Sequence, residues 1–132
     1  MFVLTNKAKE AIQEDLEFYL SMEEENLQRS DLGLILFVRK QSCSPMTDGG
    51  YLEVGVAVEP IKNYQSTANY KKVEILKDLQ DLPVFVEDKA LKMLGDRKIV
   101  EIDARGSIEK ELIIRDGPIK DLGACEVRFS RK

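Results

Sequence analysis

Apolar residues recur at helical spacing through Ala8, Ala11, Ile12, Leu16, Tyr19 and Leu20, with Lys, Glu and Gln between them. The spacing predicts a helix over residues 6 to about 21. Thr5 stands directly before it and suits an N-cap, because its hydroxyl can accept an orphan backbone N–H. Residues 22–31 are too polar for core and read as a connection. The pattern then changes. Residues 32–38 form a continuous apolar run, as in a strand buried on both faces. Residues 51–58 alternate instead, placing Leu52, Val54, Val56 and Val58 on one face of a strand.

Between these strands lies Lys40-Gln41-Ser42-Cys43-Ser44-Pro45-Met46-Thr47-Asp48-Gly49-Gly50, whose proline, serines and paired glycines predict a loop. Residues 59–72 read as a long connection. Short strands are expected at 73–76, 82–86, 99–102, 111–114 and 125–129. Residues 88–94 suit a brief helix, with Asp88 as its cap and Gly95 as its end. Arg105-Gly106-Ser107 and Asp116-Gly117-Pro118 are turn signals. Short strands with two separated helices predict an α+β domain, mostly antiparallel, spanning residues 1–132 as one unit.

Composition narrows the function more than the fold. The chain is 43% apolar and 33% charged, the balance of a globular protein. Its net charge of -4 argues against a nucleic-acid partner, which needs a clustered basic surface. No apolar run approaches the roughly 20 residues that span a bilayer, so no membrane partner is expected. The amino terminus lacks the pattern of a signal peptide, and the expected location is cytoplasmic. Acidic residues gather early (Glu14, Asp15, Glu17, then Glu23, Glu24 and Glu25) and basic ones close the chain (Arg128, Arg131, Lys132), as solvated faces commonly do.

Histidine is absent. That excludes Ser-His-Asp and Cys-His catalysis, imidazole metal ligation and the commonest general base. Gly49-Gly50 lacks the lysine, spacing and following helix of a phosphate-binding loop, and no carboxylate pair stands out from the surface background. An enzyme is therefore not expected, and no catalytic residue is nominated. The remaining reactive groups are Cys43 and Cys125. In a cytosolic chain such a pair is more often free thiols, metal ligands or a redox couple than a structural disulfide. Cys43, in a polar loop, is hard to explain as packing, whereas Cys125 in a strand could be a small buried hydrophobe. Arg39 and Lys40 would favour a thiolate if they folded over the loop; as solvated charges they would not.

The motifs also carry a resemblance. Val3-Leu4-Thr5-Asn6-Lys7-Ala8, Gly33-Leu34-Ile35-Leu36 leading to Cys43-Ser44-Pro45, Val84-Phe85-Val86-Glu87-Asp88 with Leu94-Gly95, and residues 113–118 followed by 125–129 resemble, in that order, the A-type iron–sulfur carrier family with its HesB-like fold. That family ends in a Cys-x-Cys leading to a phenylalanine. Here Phe129 keeps the spacing from Cys125, and Gly123 stands where the first cysteine of the pair would be. Pro45 lies close to a common family glycine, and residues 60–72 look like an insertion.

The resemblance implies an iron or iron–sulfur cargo held by Cys43 and Cys125 and handed to apo iron–sulfur proteins or an assembly scaffold. Clusters are commonly held by four thiolates, so two per chain imply a homodimer. Glu126 could offer an oxygen, but beside a cysteine on a strand it points to the other face. Two other functions fit the residues: a cluster-free interaction module on the same fold, favoured by Gly123, and a thiol redox sensor in which the two cysteines form a reversible disulfide.

Overall fold

A computed structural model describes residues 2–22, 26–42, 50–64, 68–73 and 82–122 of the 132-residue chain. The chain forms β1 (Phe2–Leu4), α1 (Asn6–Leu20), a 3-10 turn (Arg29–Asp31), β2 (Leu32–Ser42), β3 (Gly50–Pro60) and a second 3-10 turn (Ile61–Asn63). There follow β4 (Tyr70–Val73), β5 (Val84–Glu87), α2 (Asp88–Leu94), β6 (Val100–Arg105), β7 (Glu111–Ile114) and β8 (Ile119–Asp121). The fold is α+β. One sheet runs β4-β5-β2-β3-β8 and the other β1-β6-β7. Antiparallel pairing dominates as expected, but β1 joins β6 and β2 joins β5 in parallel, so both sheets are mixed.

Burial explains this order. Leu32, Leu34 and Leu36 project from one face of β2 into the main core, beside Val54, Val56 and Val58 of β3. Ile35 projects from the other face and packs with Ile61, Phe85, Phe37, Tyr64 and Tyr70. The continuous apolar run of β2 is thus buried on both sides, as a central strand requires. Helix α1 closes the main core with Ala8, Ala11, Ile12 and Leu16, each at 0–1% exposure. Each large side chain among these contributes about 1.5–3 kcal/mol on leaving water.

Several local expectations hold. Thr5 caps α1, accepting a hydrogen bond from the Ala8 N–H at 3.1 Å. Helix α2 and strand β7 occupy the expected residues, and Gly95 ends α2 with φ 62° while its N–H reaches the Leu91 carbonyl at 3.0 Å.

Others shift for identifiable reasons. Strands β2 and β3 are longer than the apolar pattern suggests, because their ladder continues through polar pairs such as Arg39↔Glu53 and Gln41↔Tyr51 to Ser42↔Gly50. Asp88 is not the cap of α2 but its first helical residue; its N–H is already satisfied by the Asn69 carbonyl at 2.8 Å. Strand β4 starts at Tyr70, inside the expected connection, because β5 pairs with it from Tyr70↔Glu87 to Val73↔Val84. β8 lacks an apolar pattern and exists through its pairing with β3. The strand expected at 125–129 lies outside the described residues, as do residues 74–76 of the strand expected at 73–76.

Candidate functional site

The site begins at one end of the five-stranded sheet. β2 runs out at Ser42, which is paired with Gly50 at the start of β3. On the other side of β3, Asp121 pairs with Tyr51, and the Leu122 N–H donates to the Gly50 carbonyl at 2.9 Å. β2 and β8 therefore leave the sheet in the same direction, one on each side of β3. Cys43 follows Ser42 directly, and Cys125 comes three residues after Leu122. Both cysteines, with Ser44, Pro45, Gly49, Gly123, Glu126 and Phe129, lie outside the described residues. Sequence position alone gave no sign that the flanks of Cys43 and Cys125 share a sheet end, because β8 carries no apolar alternation.

Arg39 is occupied elsewhere. Its Nε donates to Glu53 Oε1 at 2.7 Å and its Nη2 to Glu111 Oε1 at 2.9 Å, while Arg105 Nε holds Glu111 Oε2 at 2.9 Å. Gln41 Nε2 adds a bond to Glu53 Oε1 at 2.9 Å. The side chain crosses β3 at Gly55, where a Cβ would stand 2.9 Å from the Phe37 ring and 3.1 Å from Arg39 Cδ. The guanidinium therefore clasps β3 to β7, joining the two sheets. Burial alone would weaken its protonation, but the bonds to Glu53 and then Glu111 outweigh it and hold the group charged. Glu111 is held below its ordinary range by the Arg105 hydrogen bond first, with Arg39 adding to it against the opposing cost of burial. Arg39 is thus committed to two carboxylates, and the Cys43 loop whose thiolate it could favour lies outside the described residues.

A second polar cluster lies on the outer face of the sheet. The Tyr64 hydroxyl donates to Glu59 Oε2 at 2.6 Å, and its ring meets Tyr70 edge-on with centroids 4.9 Å apart. Burial and the Glu59 hydrogen bond push the Tyr64 phenol well above its ordinary value, so it stays protonated and acts as a fixed donor.

Among the described residues, no three Cys, Asp or Glu side chains converge in the way a metal centre requires, and no helix is long and apolar enough to cross a membrane. Comparison with protein-family models, curated proteins and solved structures finds no match to this chain.

Proposed function

We propose that the chain carries iron or an iron–sulfur cluster as cargo on Cys43 and Cys125, and passes it to apo-proteins by thiolate exchange rather than by enzymatic catalysis. The observation that supports the reading is the Leu122 N–H bond to the Gly50 carbonyl. It fastens the chain leading to Cys125 one strand away from Gly50, which is itself paired with Ser42 beside Cys43. Neighbouring strands lie about 4.8 Å apart, so the two anchors are about 10 Å apart. An extended residue spans at most about 3.3–3.6 Å, so tethers of one and three residues are together longer than that separation. Two thiolates suit a soft or borderline metal such as iron. Closing a four-thiolate set needs a second copy of the chain.

Anaerobic reconstitution with iron and sulfide tests this. The expected result is visible absorption with acid-labile sulfide, lost in Cys43→Ser and in Cys125→Ser while the far-UV circular dichroism is kept. A colourless protein without bound iron would overturn it.

A further inference from the structure

The chain changes sheets between β7 and β8. Up to Asp116 it belongs to the three-stranded sheet: the Arg115 N–H donates to the Glu101 carbonyl at 2.9 Å, and Arg97 Nη1 to the Asp116 carbonyl at 2.6 Å. Asp116 then turns at φ 51°, and from Ile119 the chain pairs with β3 in the five-stranded sheet. Gly117 and Pro118 alone lie between. β8 is thus strung from one sheet to the other, and a shift of either sheet pulls on it.

β8 has little hold of its own. It is three residues long, its ladder covers Tyr51–Glu53 alone, and Ile119 and Leu122 are 64% and 41% exposed. Segments with few buried contacts open locally, well below the cost of global unfolding. Upstream, β7 lies beside β3, where Glu111 and Leu112 line a groove with Val56, Ala57 and Val58. Among the described residues no ladder joins these two strands. Apolar packing presses them together but carries no direction. Arg39 supplies directed bonds across the seam, to Glu53 of β3 at 2.7 Å and to Glu111 of β7 at 2.9 Å. Arg39 is 26% exposed and Glu53 21%, so this end of the network is shielded from the water and salt that weaken surface pairs.

We infer that the Arg39–Glu111 pair is a clasp that keeps β7 in register beside β3 and so keeps β8 in the five-stranded sheet; when it lets go, β8 leaves β3 while both sheets stay folded. That β8 leads to a cargo ligand, Cys125, rests on the function proposed above; the clasp itself does not. Amide hydrogen exchange of the iron-free full chain, followed by NMR at rising urea, tests it. The Leu122 N–H, bonded to the Gly50 carbonyl at 2.9 Å, reports on β8, and the Leu34 N–H, bonded to the Pro83 carbonyl at 2.9 Å, reports on the body of the sheet. Exchange at Leu122 should be nearly independent of low urea, as for an opening that exposes little surface, while exchange at Leu34 rises steeply. Arg39→Gln and Glu111→Gln should each speed exchange at Leu122 about fivefold, the scale of a networked, partly buried ion pair. Arg105→Gln removes the other partner of Glu111 within the three-stranded sheet and should leave Leu122 unchanged. Should Arg39→Gln fail to fold, Glu111→Gln decides alone. Leu122 exchange that Glu111→Gln does not speed overturns the inference, as does an equal effect of Arg105→Gln. Exchange at Leu122 that follows urea as steeply as at Leu34 overturns it too, since β8 would then open only with the whole fold.

Discussion

The Thr5 hydroxyl donates to Asp103 Oδ1 at 2.7 Å while accepting from the Ala8 N–H at 3.1 Å, so one side chain both caps α1 and ties it to β6. The Thr5 N–H adds a bond to the Ile102 carbonyl at 3.0 Å, which continues the parallel β1–β6 ladder into the helix start. Asp103 Oδ1 in turn accepts from the Ala104 N–H at 2.8 Å.

Removing that hydroxyl separates the two roles. Thr5→Ala should cost about 1–2 kcal/mol, the upper part of the range for losing an N-cap, because Asp103 also loses a donor. Thr5→Ser should restore most of it. Urea unfolding of the three proteins checks the order, and equal midpoints for Ala and Ser would refute the capping role.

The same carboxylate predicts an acid response. The Thr5 hydrogen bond, with help from the Ala104 N–H, holds Asp103 below its ordinary value of 3.8. The unfolded chain therefore takes up the proton first as pH falls. The stability Asp103 contributes is complete above the unfolded value and is lost as pH falls through the lower folded one. Glu111, lowered by Arg105 and Arg39, acts in the same direction. Stability should hold from neutral pH to about 5 and decline below about 4. Asp103→Asn should flatten that decline in denaturant midpoints measured across the range; an unchanged slope would count against it.

Two glycines should differ in their tolerance of a methyl group. At Gly33 a Cβ would stand 2.6 Å from Ile61 Cγ2 and 2.7 Å from the Pro83 carbonyl oxygen. That carbonyl accepts the Leu34 N–H at 2.9 Å and cannot retreat without loosening β2 from the β5 side. At Gly55 the obstacles are side chains, Phe37 and Arg39. Gly33→Ala should therefore cost about 3 kcal/mol, the upper part of the overpacking range, and Gly55→Ala nearer 1 kcal/mol. Thermal unfolding ranks them, and the reverse order would refute the account of Gly33.

In the core, Leu34 is fully buried on β2. Leu34→Ala should cost about 2–5 kcal/mol, whereas Ile108→Ala, at a position 92% exposed, should cost almost nothing. Chemical denaturation of both variants provides the comparison.

The candidate cysteine site was legible as residues but not as a place. Cys43 and Cys125 stood out because histidine is absent, yet nothing near residues 119–121 announced a strand. Ile119, Lys120 and Asp121 are held by hydrogen bonds to β3, an interaction with no local signature. The role of Arg39 was hidden for the same reason. Its partner Glu111 is 72 residues away, and only the approach of β7 to β3 brings the two together.

Periodicity alone determined α1 and its Thr5 cap, the double burial of β2, the inward face of β3 from Val54 to Val58, α2 with its Gly95 end, and the α+β class. These follow from local backbone preference and from the side of an element that must leave water. Tertiary structure decided which strands are neighbours, that two pairings run parallel, that Arg39 reaches Glu111 across β3, and that the chain segments preceding Cys43 and Cys125 leave one end of one sheet. Strand pairing joins backbone groups that every residue shares, so side-chain pattern carries little record of it.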